Sequence, residues 1–355
     1  MFPLKKAGKN KFRWLRIILA VLLILSAGAL ILGWDYYKKI YHPNVSLQQK
    51  ETFLYIPTGS GFVDVLRLLN EGGYIINSAS FEWVAEMKKY KDQVKPGRYR
   101  IRNGMSNNEI INLLRSGMQE PVKLVLHNVR TPEEMAGRVA SFIEADSVSI
   151  IEMYRSADVR KKYGFSGDKM FTMFIPNTYE FYWNTSAEEF MERMAREYKS
   201  FWTEERQKKA EKLGLTQSEV TIIASIVEKE SVKRDEYKTI AGVYLNRIRK
   251  GMKLQADPTV VFAIGDFTIK RVTRKDLEYD SPYNTYMYEG IPPGPICLPG
   301  TTAIDAVLDA ERHEYLFFCA REDFSGYHNF ARTHAQHEQN ARKYRNALDR
   351  LKITR

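Results

Sequence analysis

Glu230 is a carboxylate set among aliphatic side chains. Ile223, Ile226, Val227 and Glu230 stand at i, i+3, i+4 and i+7, one stripe of a helix. Thr216-Gln217-Ser218-Glu219 just before has the S/T-x-x-E spacing of a capping box, and residues 221–231 read as helix. A carboxylate on a buried apolar face is disfavoured in its charged form, so its pKa is expected to rise. An acid still protonated near neutral pH is what a general acid requires. Spacing alone leaves a plainer reading open: a helix-end glutamate paired with Arg234, one turn further along. Glu228 points to another face, and its role as structural or helix-positioning also stays open.

Further segments bear on that choice. Gln255-Ala256-Asp257-Pro258-Thr259 follows a second helical stretch, residues 236–250. Then come Ser281-Pro282-Tyr283-Asn284-Thr285-Tyr286 and the proline-rich run of residues 290–300. Gly326-Tyr327-His328-Asn329-Phe330 lies near the end, with His337 beyond it. In this order the segments resemble the MltG/YceG-like family of membrane-anchored endolytic murein transglycosylases. The resemblance covers most of the chain after the apolar N-terminal segment. In that family the second Glu of E-K-E is catalytic, which lands on Glu230, the residue chosen independently from the helix stripe.

The resemblance implies a lytic transglycosylase acting on peptidoglycan glycan strands. One carboxylic acid protonates the oxygen between N-acetylmuramic acid and N-acetylglucosamine. The muramyl C6 hydroxyl then attacks C1, and the same group, now ionised, takes that hydroxyl's proton. The product is a 1,6-anhydro end. Intramolecular attack has a high effective molarity, so one residue suffices where most glycosidases use two. No cofactor or metal is implied. Substrate contacts are expected from Glu228, Gln255, Asp257, Thr259, Tyr283, Asn284, Tyr286, His328 and His337. Tyr283 and Tyr286 can stack on sugar faces, with Asn284 between them. Asp257 precedes Pro258, which predicts an extended backbone and an outward side chain. His334 and His337 could share a helix face, but no Cys or acid completes a recognised metal motif. Asn177 stands where relatives commonly carry an acid, so no charge-dependent role is assigned to it. The alternative function is a non-catalytic wall-binding or scaffold protein of the same fold.

The 355 residues suffice for two domains, and 44% hydrophobic content argues against disorder. The net charge of +11 is concentrated at the start: six basic residues and no acid precede residue 17. The remaining 48 basic and 43 acidic residues form no recognised nucleic-acid motif, and no nucleic-acid partner is expected. Residues 17–34 carry no charge and as a helix would span roughly 27 Å, close to a bilayer core. The preceding basic residues orient residues 1–16 to the cytoplasm. A single-pass anchor in the cytoplasmic membrane is expected, with the bulk of the chain on the periplasmic or extracellular side. A cleaved signal peptide at Ala27-Gly28-Ala29 is the competing reading. Cell-wall synthases are candidate partners. Two cysteines, Cys297 and Cys319, are too few for a disulfide scaffold.

The expected fold class is α+β: a transmembrane helix, a small LysM-like βααβ subdomain and a larger mixed α/β catalytic domain. The expected divisions are a basic tail at 1–16, the membrane helix at 17–34, a tether at 35–50, the LysM-like subdomain at 51–118 and the catalytic domain at 119–355. Strands are read at residues 52–56 and 98–102, with apolar helical stripes between them. A second capping box begins at Ser106 and a helix start at Thr131-Pro132.

Overall fold

The computed structural model describes residues 9–350; residues 1–8 of the expected basic tail, and residues 351–355, lie outside them. The fold is mixed α+β, in two compact units: residues up to 122 with 182–184, and residues 123–181 with 185 onward.

The smaller unit begins with α1 (Lys9–Tyr41), whose segment Arg13–Tyr41 is long and apolar enough to cross a membrane. The predicted tether at 35–50 is corrected, because the helix continues to Tyr41. No Gly or Pro interrupts residues 35–41, and Asp35 and Lys39 form an i,i+4 pair at 2.7 Å. After α1 come β1 (Glu51–Ile56), α2 (Phe62–Glu71), α3 (Ser78–Met87), β2 (Gly97–Arg102) and α4 (Asn107–Ser116). The end of α1 is docked on this unit: Tyr36 packs edge-on against Trp83 of α3, and Asn107 Nδ2 donates to the Lys39 carbonyl at 2.9 Å.

β1 and β2 pair antiparallel with Leu54 opposite Tyr99 and Ile56 opposite Gly97. Their alternation sends Leu54, Ile56, Tyr99 and Ile101 inward. There they meet Val65 and Leu69 of α2, Phe81 and Val84 of α3, and Ile110 and Leu114 of α4. Fully burying one such side chain stabilises by about 1.5–3 kcal/mol. Leu69→Ala would cost about 2–5 kcal/mol through the cavity it leaves.

The larger unit holds the rest of the fold. It starts at β3 (Val122–Val125), followed by α5 (Pro132–Ala140), α6 (Ser147–Arg155) and α7 (Ala157–Tyr163). β4 (Thr178–Phe181) returns to pair with β3. Then come α8 (Ala187–Phe201), α9 (Glu204–Leu213), α10 (Gln217–Glu230), α11 (Tyr237–Arg249), α12 (Asp257–Ile264) and α13 (Thr301–Leu308). β5 (Phe317–Ala320) and β6 (His328–Ala331) form an antiparallel pair, and α14 (His334–Arg350) follows.

The helix α10 is the centre of this unit. Its capping box forms as expected: Thr216 Oγ1 accepts from Glu219 N–H at 3.2 Å, and Glu219 Oε2 accepts from Thr216 N–H at 2.9 Å. Residues 220–227 are all buried, so α10 is apolar nearly all round rather than along one stripe. It packs against α11, α12 and α13. Its only polar inner residues bond to backbone: Thr221 to the Gln217 carbonyl and Ser225 to the Ile222 carbonyl.

Candidate active site

Glu230 is the last residue of α10, where the helix emerges from the core. Its side chain is partly buried, and Tyr244 Oη of α11 donates to Oε1 at 2.5 Å. Arg234 makes no ion pair with it, so the plain helix-end pairing is not what the fold uses. Burial pushes the Glu230 carboxyl up to about 7, with the nearby charge of Asp257 adding to the rise. The Tyr244 hydrogen bond and the Arg247 charge pull the other way without cancelling it. The carbonyl end of α10 further disfavours a negative charge at this position. Tyr244 itself is held far above its ordinary range by burial and by Glu230, so it remains a donor. With Oε1 engaged, Oε2 is the oxygen left to carry the proton.

Two cavities meet at Glu230 and Asp257. One, of about 320 Å³, is lined by Arg130, Lys229, Phe262, Phe267 and Lys270 among others. The other, of about 410 Å³, is lined by Tyr244, Arg247, Gln255, Tyr286, His328 and His337 among others. The acid therefore borders open space on two sides.

The walls are built by stitching loops onto α10 and α11. Ser225 Oγ accepts from Ile296 N–H at 3.0 Å, and Glu228 Oε2 accepts from Gly300 N–H at 2.7 Å. These two bonds fix the proline-rich run against α10. On α11, a side chain at Gly242 would have its Cβ 2.6 Å from the Glu311 carbonyl, so only glycine permits this approach. Asn246 Nδ2 donates to the His313 and Tyr315 carbonyls at 2.8 and 3.1 Å, carrying the chain into β5. Arg247 is buried and spends its donors on carbonyls, on Leu316 at 2.6 Å and on Leu254 at 2.7 Å. It also holds Gln255 Oε1 at 3.2 Å.

The expected contact residues divide into two groups. Gln255, Asp257, Tyr286, His328 and His337 line the cavities beside Glu230. Tyr286 Oη donates to Asp257 Oδ1 at 2.6 Å. Gln255 has a left-handed backbone, φ 52°, pinned by its N–H to the Thr285 carbonyl at 3.1 Å. His328 Nδ1 lies 2.8 Å from Glu236 Oε2, which ties the ring to the start of α11. His337 stacks on Phe317, and burial holds its pKa below the ordinary value.

The others lie elsewhere. Thr259 is fully buried, its hydroxyl bonded to the Ala256 carbonyl at 2.7 Å and to Thr285 Oγ1 at 2.8 Å. Asn284 is fully buried and donates to the Leu277 and Tyr279 carbonyls. These two hold loops together, their polar atoms bonded to backbone and neighbouring hydroxyl groups. Glu228 is likewise occupied by Gly300. Tyr283 donates to Asp168 Oδ2 at 2.8 Å and packs on Phe262. The expected extended backbone at Asp257 is also corrected: it is the first residue of α12. Proline is tolerated in a first helical turn, and an acid is favoured there by the helix dipole.

The YceG-like family's profile matches residues 54–343. The chain belongs to that family. As a YceG-like protein it is 27% identical over 337 residues to the endolytic murein transglycosylase of Bacillus subtilis (strain 168), covering 90% of this chain and 91% of that one. It is 25% identical over 368 residues to the endolytic murein transglycosylase of Streptococcus pneumoniae serotype 2 (strain D39), covering 93% of this chain. The match takes in 64% of that relative's length, so the chain spans under two thirds of it. The crystal structure of a YceG-like protein from Listeria monocytogenes aligns with a TM-score of 0.56 at 27% identity, covering 82% of this chain and 98% of that one.

Three residues around Glu230 carry no motif signal of their own: Tyr244, Arg247 and Glu236. Tyr244 and Arg247 stand at i, i+3 on α11, which made them a shared face, but only the packing of α11 on α10 aims that face at Glu230. Glu236 is buried at the start of α11, where it also accepts from His328 N–H at 2.9 Å. Cys297 and Cys319 are both free thiols, the first buried and the second half-buried.

Proposed function

We propose that this chain is a membrane-anchored lytic transglycosylase that cleaves inside peptidoglycan strands. Glu230 is the acid that protonates the oxygen between N-acetylmuramic acid and N-acetylglucosamine. The observation that carries this reading is the carboxyl of Glu230, raised to about 7 by burial at the junction of two open cavities. An acid with that pKa is substantially protonated at neutral pH and can both give and recover a proton. Tyr244 fixes the carboxyl's orientation through Oε1. The Asp257 charge keeps the proton on Glu230 in the resting enzyme and favours positive charge developing on the sugar ring. The muramyl C6 hydroxyl then closes on C1, giving a 1,6-anhydro end and returning its proton to Glu230. Space on both sides of the acid suits a strand that continues past the cut, which is what internal cleavage requires.

The relatives are named endolytic murein transglycosylases, and membership of their family supports the same activity here. The apolar helix α1 serves as the anchor, with residues 1–16 cytoplasmic and residues 38–355 exported. The βααβ unit is read as a LysM-like holder of glycan, and cell-wall synthases as partners that present nascent strands. Full-length protein in detergent, incubated with peptidoglycan, should release fragments with 1,6-anhydro ends by mass spectrometry. Reducing ends, which arise when water attacks, would overturn the transglycosylase reading.

A further inference from the structure

The two cavities that meet at Glu230 differ in charge. Arg130, Lys229 and Lys270 all line the smaller one, and among the described residues none of them has an ion-pair partner. The Arg130 guanidinium lies over the Phe267 ring at 4.5 Å, which fixes its plane and leaves its donors free. The acidic side chains on this cavity are Asp257, already accepting from Tyr286, and Glu230, whose carboxyl is held up to about 7. The larger cavity has Arg247 as its one Lys or Arg, and the donors of that side chain are committed to carbonyls. Three cations without ion-pair partners on one side of an acid, and on the other only Arg247 with its donors already committed, describe a receptor for an anion on one side of the cut.

We infer that the Arg130, Lys229 and Lys270 cavity binds a carboxylate carried on the muramyl residue, and so sets which way the strand lies across Glu230. This rests on the transglycosylase reading. In the alternating strand, N-acetylglucosamine is neutral, and the muramyl unit carries the acidic substituent, either its own lactyl carboxylate or the carboxylates of a peptide attached there. Arg offers a planar fork for a carboxylate and Lys a point charge, so the set tolerates a mobile acidic group. The apolar ring of Phe267 can cover the non-polar part of the substituent.

The test uses full-length protein in detergent and three substrates: strands with native peptide stems, strands with stem carboxylates converted to amides, and strands stripped of stems. The Arg130→Gln/Lys270→Gln double variant should lose roughly 10- to 100-fold in kcat/KM on charged strands, the worth of charge-assisted hydrogen bonds. Amidation alone should cost the wild type a similar factor. Because both changes remove one interaction, their losses should not add. Removing the stem frees the lactyl carboxylate from its amide, so a defect on stripped strands as well means that the cavity accepts either acid; one confined to native stems assigns the peptide carboxylates. Lys270 is exposed, so Lys270→Glu gives a second variant with little risk to folding, and it should reverse the preference toward amidated strands. Fully additive losses, or equal cleavage of all strands by every variant, would overturn the subsite. Wild-type protein that yields no anhydro ends on any strand would instead overturn the parent reading.

Discussion

Two glutamates at helix ends, one in each unit, show opposite uses of the same side chain. Glu109 sits in the first turn of α4 and accepts from Ser106 N–H at 2.8 Å and Ser106 Oγ at 2.7 Å. Those bonds hold its carboxyl below the ordinary value, as expected at the positive end of a helix. Glu230 sits at the last residue of α10, partly buried, with one hydroxyl donor, and its carboxyl is pushed up to about 7. In the small unit, then, the anion is the stable species and serves the fold. In the large unit the neutral acid is favoured, at a cost to stability above its pKa. A carboxyl held neutral beside open cavities has no structural reward, which is the physical argument for reading it as catalytic.

The sharpest break in that comparison is Glu230→Gln, which keeps the shape and removes the proton. Activity should fall roughly 10²–10⁴-fold, and because one group serves both proton transfers the upper end is expected. Glu228→Gln should leave the chemical step nearly intact, since Glu228 holds Gly300. Activity retained in Glu230→Gln would end the proposal.

Stability should move the other way. The folded pKa of Glu230 lies above its unfolded value of about 4.5, so the native state binds more protons between the two. The wild type should therefore lose about 3 kcal/mol relative to Glu230→Gln as pH rises from 4 to 8. Denaturant melts of both proteins across that range check the sign. For Glu109 the sign reverses: its contribution is present above its unfolded pKa and lost on acidification.

The pH limb of kcat/KM offers a finer test. It should be level below about 7 and fall tenfold per unit above it. Tyr244→Phe should move the limb up and cost roughly tenfold in rate, because Oε1 loses its donor. Asp257→Asn should move it down, because a negative neighbour is gone. The smallest effect belongs to Ser106→Ala, which should cost about 1 kcal/mol of stability through the lost cap and leave the limb where it is.

What the residues disclose in advance depends on whether the signal is local. The stripe ending at Glu230, the caps at Thr216 and Ser106, and the βααβ order all follow from spacing within one element, and these were legible. The length of α1 past residue 34 was obscured because Asp35 and the lysines after it read as a tether, although their pairing and docking on α3 favour helix. Tyr244, Arg247 and Glu236 were silent because their roles depend on how α11 packs against α10 and β6. The burial of Thr259 and Asn284 was silent for a related reason. A polar residue in a loop motif has the same sequence signature whether it faces a ligand or ties backbone together, and only its burial separates the two. Asp257 was expected in extended backbone from its proline, yet the first turn of a helix accommodates both.

The most direct test of the central claim is a carbon-13 NMR titration of the Glu230 carboxyl in glutamate-labelled protein. Its signal is identified by its loss in Glu230→Gln. The account predicts a midpoint near 7, with the Glu109 carboxyl titrating below its ordinary value in the same sample. A Glu230 midpoint in the ordinary carboxylate range would mean that the group is ionised at neutral pH, and the claim that it is the proton donor would fail.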